Sequence, residues 1–264
     1  MQRCLGAYVW LDFFYAFFII PESASKQHYH IYQVFQVFRL NIIEIINHPF
    51  EFLWEGTVGA FWFFPSLILG LNIVVWLYLR GREKYILPLG VVLYLIALLG
   101  KDYSVLPWGY QVDFEMRRGP FVSVLFVGIG WFLAKKEKFR LKTAILLIAA
   151  GLGIQILETL FLYWRYGLKM HHEYLLGTIL FCTGIFVFTL ARPDVGKGTI
   201  FPEWGKLTLG VYVLHTFYIK IFGMFRPYFP TLEYEILQPA VIFLLSIFTT
   251  FLFRSNSLTR ILVT

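Results

Sequence analysis

Four ionisable residues lie inside strongly apolar segments of this sequence, namely Asp12, Glu158, His215 and Lys220. An ionisable group inside a membrane-spanning segment costs free energy, so each of them is a candidate for function. Glu158 and His215 suit proton transfer, and we predict them as catalytic residues. Each also has a structural alternative. Glu158 can extend outward, and His215 can simply form a hydrogen bond across a helix bundle. Asp12 can pair with another helix, and Lys220 can extend to the membrane surface.

A second group of polar residues comes just before an apolar segment, in FEMRRGPF (residues 114–121). Two adjacent arginines at a helix N-terminus form a site for an anion, because the guanidinium groups and the helix dipole both favour negative charge. We therefore predict Arg117 and Arg118 as substrate-binding residues, with anchoring at the membrane interface as the alternative. Trp62, in the aromatic run FWFFP, is the third predicted substrate-binding residue, although such runs are also typical of an aromatic belt.

The histidine-rich segment MHHE (Met170–Glu173) is a weak candidate for a metal site. Neighbouring residues on a helix point about 100° apart, so His171 and His172 do not form a good ligand pair. We predict no metal site, and the sequence contains neither a Walker A loop nor a G-x-G-x-x-G fingerprint for a nucleotide. Cys4 and Cys182 lie in apolar segments and lack metal or redox spacing.

The composition indicates what kind of elements position these residues. Of the 264 residues, 58% are hydrophobic and 15% are charged, whereas an ordinary soluble domain carries about 25% charge. This excess of apolar residues excludes a soluble globular protein and indicates an integral membrane protein. The net charge of +7 fits the Lys and Arg content of cytoplasmic loops in membrane proteins, so we expect no binding to nucleic acid.

Eight apolar runs approach the length of about 20 residues that crosses a bilayer as a helix, which predicts an all-α transmembrane bundle of about eight spans. Lys and Arg concentrate in alternate loops, above all in Lys135–Lys142, which predicts a multi-pass protein of the cell (inner or plasma) membrane with cytoplasmic N- and C-termini. The first run resembles a signal peptide, but Asp12 interrupts it and no clear cleavage site follows. The predicted spans are Leu5–Ile20, Gly59–Leu79, Tyr85–Gly100, Pro120–Ala134, Thr143–Trp164, Tyr174–Ala191, Leu207–Phe225 and Ile236–Phe253.

Between the first two spans, residues 31–47 have a helical pattern. Apolar residues recur there at helical spacing, and Gln33, Gln36 and Glu44 lie on the other face. This pattern predicts an amphipathic helix in the first outer loop, at the membrane surface. The sequence contains no internal repeat, so we interpret residues 1–264 as one membrane-embedded domain.

Three segments, in this order, resemble motifs of the acyltransferase 3 family, the integral-membrane O-acyltransferases of cell-surface sugars. GAFWFFPSLILGLNIVVWLYL (Gly59–Leu79) is similar to the family's lWFlpaLl segment, and RRGPFVSVLFVGIGWFLAKKE (Arg117–Glu137) is similar to its R-x-G-x-F segment. WGKLTLGVYVLHTFYI (Trp204–Ile219) resembles its late G-x-x-SLGIYLLH segment, with Tyr212 and His215 in matching positions. The resemblance covers essentially the whole chain.

The resemblance implies that an acetyl or acyl group passes from acetyl-CoA to a hydroxyl of a cell-surface or lipid-linked polysaccharide. Acetyl-CoA is then a donor substrate, with no bound cofactor, and the expected partners are acyl-CoA, a glycan acceptor and membrane lipid. The family has ten helices, and this sequence resembles it from the third helix onward. We therefore expect a mis-assigned start, a truncated gene, or a partner that supplies the two missing helices with their catalytic Arg and His.

Two other functions would suit such a sequence. A transporter or carrier of lipid-linked glycans has a similar composition, although Pro88 and Pro107 have no counterparts in the second half of the chain, where a transporter repeat would place them. A non-catalytic subunit of a glycan-synthesis complex would use the same spans without transferring an acyl group.

Overall fold

A computed structural model describes residues 43, 46, 47, 63–112, 115–225, 229 and 231–255. From residue 63 onward, the described chain forms eight α-helices and two short 3-10 turns, and the described residues contain no β-strand. The predicted all-α fold is thus confirmed for these residues. The chain divides into two compact units. The first unit comprises residues 62–195, and the second unit has its described helices within 196–255, so each unit is considered by itself.

Five long helices form the first unit, and they follow the apolar runs of the sequence. Pro120 begins one of them, because a missing N–H costs no hydrogen bond in a first helical turn. Gly167 ends another, since its φ of 67° lets its N–H donate to the carbonyl of Tyr163 at 2.9 Å. The helices are α1 (Phe63–Leu79), α2 (Ile86–Gly100), α3 (Pro120–Ala134), α4 (Leu141–Tyr166) and α5 (Leu176–Ala191).

Three helices complete the described chain in the second unit, where two of them are held together by tyrosines. The hydroxyl of Tyr218 lies 2.5 Å from Oγ1 of Thr249, and the hydroxyl of Tyr234 donates to the carbonyl of Phe222 at 2.5 Å. Both contacts join the two long helices directly, and the second lies close to the connection between them. The helices are α6 (Phe201–Gly205), α7 (Thr208–Phe225) and α8 (Leu232–Ser255).

Glycines let the helices of the first unit approach one another closely. A Cβ atom placed on Gly151 of α4 would lie 2.4 Å from the backbone nitrogen of Phe181 in α5, and one on Gly177 of α5 would lie 2.5 Å from the carbonyl oxygen of Gly151. In the same way, a Cβ on Gly90 of α2 would lie 2.7 Å from Cα of Leu125 in α3. Small residues at contact points are typical of helices packed inside a membrane. These glycines therefore set how closely α4 approaches α5 and α2 approaches α3.

Hydrogen bonds identify which helix ends meet in the first unit. Ser66 near the start of α1 donates to the carbonyl of Gly119, which immediately precedes α3, at 2.9 Å. Tyr94 in α2 donates to the carbonyl of Leu175, which immediately precedes α5, at 2.7 Å. We call this the capped end of the first unit: α1, α3 and α5 begin there, and α2 and α4 end there. At the opposite end, Lys135 after α3 forms an ion pair with Glu83 before α2.

Several of the described helices have the length of a membrane span, and their outer faces suit a lipid environment. Three segments are long and apolar enough to cross a membrane, while three shorter helices are also apolar. Large apolar side chains such as Leu146 and Leu157 are exposed on the outer faces, and soluble monomers rarely expose extensive apolar surface. The three long segments are Glu83–Gly100, Leu141–Tyr166 and Leu232–Ser255.

Several predictions fall on residues whose structure is not described. The predicted span Leu5–Ile20 lies outside the described residues, as does the predicted surface helix at 31–47 except for positions 43, 46 and 47, which are helical. Asp12 and Trp62 also lie outside them. The total of eight spans and the single domain therefore stay predictions.

Gly151 provides a test of the α4–α5 contact, with Gly153 as its control. Gly151→Ala should lower the free energy of unfolding by about 1–3 kcal/mol, because the added methyl group overlaps the backbone of α5. Gly153→Ala should leave it unchanged or raise it by up to about 1 kcal/mol, because its surroundings are open and alanine favours a helix. Thermal unfolding in detergent micelles measures both, and equal stability of the two variants would contradict this packing.

Candidate functional site

Side chains from several segments cap the start of α5. Four consecutive backbone N–H groups, those of residues 174–177, each donate to a side-chain oxygen. Asp102 accepts from Tyr174 at 3.3 Å, and Thr178 accepts from Leu175 at 2.9 Å. The two oxygens of Glu158 accept from the next two N–H groups at 3.1 and 3.0 Å. The N–H groups of Leu175, Leu176 and Gly177 belong to the N-cap and the first two helical positions, which a helix start leaves without partners inside the helix.

Glu158 is reached by a third donor as well. The hydroxyl of Tyr103 donates to its Oε1, and both side chains line a small recess of about 120 Å³ together with Leu106, Phe161 and Leu162. Burial, and then the neighbouring carboxylate, raise the pKa of Tyr103 above its usual range, so the phenol stays protonated and keeps donating. In the structure, Glu158 thus lines this recess and also caps the start of α5.

Gln155, one turn before Glu158, strengthens the same contact. Its side-chain amide donates to Oγ1 of Thr178 at 2.9 Å, the oxygen that also accepts from the N–H of Leu175. Two polar side chains of α4 are therefore directed at the first turn of α5. The polar residues of this end hold α4 and α5 in register, while the glycines set the distance between the helices.

Next to this cap, Asp102 and His172 form a buried pair. Nδ1 of His172 lies 3.1 Å from Oδ1 of Asp102, and the two side chains are only 5% and 9% exposed. Nε2 of His172 is buried and has no hydrogen-bond partner within the described part of the chain. An imidazole whose one nitrogen faces a carboxylate is oriented for proton transfer through the other nitrogen. Burial, and then the charge of Asp102, raise the pKa of the adjacent Tyr174 above its usual range.

An ionic network lies at the same end and contains the predicted binding residue Arg117. Its Nε lies 3.2 Å from Oε2 of Glu115, and its Nη1 lies 3.0 Å from Oε1 of Glu173. Lys101 lies 2.8 Å from Glu115 and 3.9 Å from Glu173. Among the described residues, two cations thus alternate with two carboxylates. An anionic substrate would have to compete with these carboxylates for Arg117.

The structure brings together some of the predicted site residues. Glu158 and Arg117 both lie at the capped end of the first unit. Arg118 belongs to the short 3-10 turn Met116–Arg118 before α3. His215 lies on α7 of the second unit, where its ring is half-buried and packs against Tyr212 with centroids 5.4 Å apart. Glu158 and His215 are therefore described in separate units.

Asp102, Tyr103 and His172 were not predicted as site residues. Their only signals in the sequence were KDY directly after a span and MHHE directly before one. The second signal was interpreted as a poor metal pair, and in the structure His172 contacts Asp102 while its neighbour His171 is exposed. Among the described residues, no group of three potential ligands is arranged for a metal ion.

The second unit contains a groove with a different character. It has a volume of about 570 Å³ and lies between α6 and the C-terminal half of α8. Trp204, Leu244 and Phe248 are among its apolar lining residues, and Glu203 and Arg254 are its charged ones. Lys206 forms an ion pair with Glu203 and keeps the pKa of that carboxyl below its usual range. Such a lining suits an acyl or lipid chain better than proton transfer.

A family model described as an acyltransferase domain matches residues 1–254 of this chain. The chain belongs to the acyltransferase 3 family. The match confirms the resemblance drawn from three segments of the sequence, and together with the apolar helices it supports a membrane acyltransferase. No curated protein and no solved structure matches the chain. The geometry of the candidate site is therefore known from this chain alone.

Glu158→Gln tests the cap of α5 in this family member. The variant keeps the shape of the side chain but replaces one acceptor oxygen with an NH₂ group, which cannot accept from a backbone N–H. We expect the free energy of unfolding to fall by about 1–3 kcal/mol. Hydrogen exchange at Leu176 and Gly177 should accelerate. Glu137→Gln, in the exposed loop before α4, is the control, and unchanged exchange in Glu158→Gln would mean that the carboxylate does not cap α5.

Proposed function

We propose that this membrane acyltransferase transfers an acetyl group from acetyl-CoA to a hydroxyl of a cell-surface or lipid-linked polysaccharide. The observation that carries this proposal is the match of the acyltransferase domain to residues 1–254. The donor and the acceptor come from the family resemblance. The proposal includes a location in the cell membrane with both termini in the cytoplasm.

Acyl transfer from a thioester to a hydroxyl requires two kinds of group. A base removes the hydroxyl proton, and cations or hydrogen-bond donors stabilise the charge that develops on the carbonyl oxygen. Glu158 and His215 are the proposed catalytic residues, and Arg117, Arg118 and Trp62 are proposed to bind the acceptor. Glu158 is supported by its position in a recess at the capped end, beside the phenol of Tyr103.

The donor is proposed to bind at the opposite end of the first unit. Two basic loops, Arg80–Lys84 and Lys135–Lys142, lie there, and the ion pair between Glu83 and Lys135 joins them. Most of their Lys and Arg side chains are exposed, which suits the phosphates of coenzyme A. In this arrangement the nucleotide lies at the basic loops, and the pantetheine arm brings the thioester toward the capped end.

Acetyl transfer by the full chain tests this function. Purified protein in lipid nanodiscs should move radioactive acetyl groups from acetyl-CoA to membrane glycans, in a linkage that mild base removes. Glu158→Ala and His215→Ala should lose at least about 100-fold in rate, as expected for a base or acid in the reaction. His171→Ala is the control, since this histidine is exposed.

Thermal unfolding of each variant in the nanodiscs separates a loss of chemistry from a loss of structure. Full activity in both Glu158→Ala and His215→Ala would remove these residues from the catalytic site. Glycan movement into vesicles without acetyl-CoA would instead support a carrier.

The ionic network predicts a gain of binding. Glu173→Gln removes a carboxylate that lies 3.0 Å from Arg117, so the KM for an anionic glycan acceptor should fall by about two- to five-fold, the range of one exposed ion pair. The KM for a neutral acceptor should not change, and Glu137→Gln is again the control. An equal change for both acceptors would show that Arg117 does not bind the anionic group.

A further inference from the structure

We propose that the groove of the second unit binds one anionic phospholipid, with an acyl chain along α8 and the phosphate at Arg254. The groove lies between α6 and the C-terminal half of α8, and its volume is about 570 Å³. This inference is independent of the proposed acyl transfer, because it assigns a ligand to residues that the proposed catalytic site does not use.

One wall of the groove is an apolar stripe on α8. Leu244, Phe248 and Phe251 follow one another at spacings of four and three residues, which places them on the same face of the helix. Their side chains are 55–60% exposed. Leu207 and Ile247 also line the groove and are buried. Such a surface binds a hydrocarbon chain through apolar contact.

The short helix α6 converts this stripe into a groove. Its Trp204 packs edge-on against Phe243 of α8, with ring centroids 6.0 Å apart, and against Phe201 at 5.9 Å. These contacts hold α6 beside α8, so Ile200 and Trp204 form a second wall. The outer surface of a single helix is convex, and a chain lying on it is not enclosed on two sides. The groove therefore differs from an ordinary lipid-facing surface.

The groove is positively charged near the end of α8. Arg254 lies in the last turn of that helix and lines the groove, and no ion pair connects it to another described residue. Glu203 is the acidic residue among the described lining, and Lys206 lies 2.6 Å from it. Because Lys206 compensates Glu203, the charge of Arg254 is available to the single negative charge of a phosphodiester.

The position of Arg254 along its helix suits a lipid headgroup. α8 is one of the three segments long enough to cross a membrane, so its last turn lies at the level of the lipid phosphates. Trp204 in the opposite wall is a residue type enriched at this depth, because its ring is apolar and its N–H is polar. In the proposed topology this end faces the cytoplasm, where anionic lipids are concentrated.

Two other ligands fit this groove less well. Coenzyme A carries several phosphate charges at its nucleotide end, whereas Arg254 is accompanied here by a carboxylate close enough to feel its charge. A zwitterionic phospholipid brings its own ammonium group, which Arg254 and Lys206 would repel. The groove therefore favours a phospholipid with a net negative charge, such as phosphatidylglycerol.

Lipid retention by the full chain tests the headgroup assignment. In native mass spectrometry, phosphatidylglycerol should bind about five-fold more tightly than phosphatidylcholine of the same chain length, the factor expected for one arginine near an anionic lipid. Arg254→Gln should abolish this preference. Arg165→Gln is the matched control and should keep it, because Arg165 is an exposed arginine in the last turn of another long helix, α4.

A second pair of variants tests the place of the acyl chain. Leu244→Trp puts a larger ring into the groove, so both lipids should bind at least about ten-fold more weakly, the loss expected when two methylene groups leave an apolar site. Leu237→Trp should have no effect, because Leu237 lies two turns earlier on α8, is 59% exposed and does not line the groove.

Photocrosslinking in the membrane identifies the occupant without disturbing the charge of the groove. Benzoylphenylalanine in place of Phe248 should capture a glycerophospholipid, with anionic species enriched over those captured from position 237, which samples the bulk bilayer. Equal binding of the two lipids by the wild type, or the same preference in Arg254→Gln and Arg165→Gln, would overturn the proposal. So would a crosslink from position 248 to residues 256–264 or to a polyprenyl lipid, since either would be a different occupant.

Discussion

The first unit depends on the side chains that accept hydrogen bonds from the backbone N–H groups at the start of α5. A helix start leaves several N–H groups without partners, and lipid offers them no water. Here Asp102, Glu158 and Thr178 accept from four consecutive N–H groups. Each acceptor comes from a different segment: the loop after α2, the helix α4, and α5 itself. The cap therefore joins three parts of the chain that the sequence keeps far apart.

The same polar residues connect the fold to the candidate chemistry. Asp102 accepts from the backbone with one oxygen and faces His172 with the other. Glu158 caps the start of α5 and also lines the recess. A variant that removes either carboxylate changes both stability and the site. Comparisons with variants that keep an acceptor oxygen, such as Asn or Gln, are therefore more informative than comparisons with alanine.

The sequence predicted the helices well because long apolar runs leave few alternatives in a membrane. Through three short motifs, it also predicted the family. The contact between Asp102 and His172 could not be predicted, since the two residues are separated by 70 positions and each lies in a polar loop without a periodic pattern. The role of Glu158 as a cap depends on which helix ends meet, and that follows only from the packed structure. Trp62 and Asp12 stay predictions from the sequence.

The lengths of the helices have a consequence for the surrounding lipid. α3 has 15 residues and α5 has 16, so each extends only about 22–24 Å, whereas the hydrocarbon core of a bilayer is about 30 Å thick. α4, with 26 residues, exceeds that thickness at about 39 Å and must tilt. We expect this hydrophobic mismatch to thin the bilayer beside α3 and α5. A thinner bilayer shortens the path across which an activated group has to be carried from one aqueous face to the other.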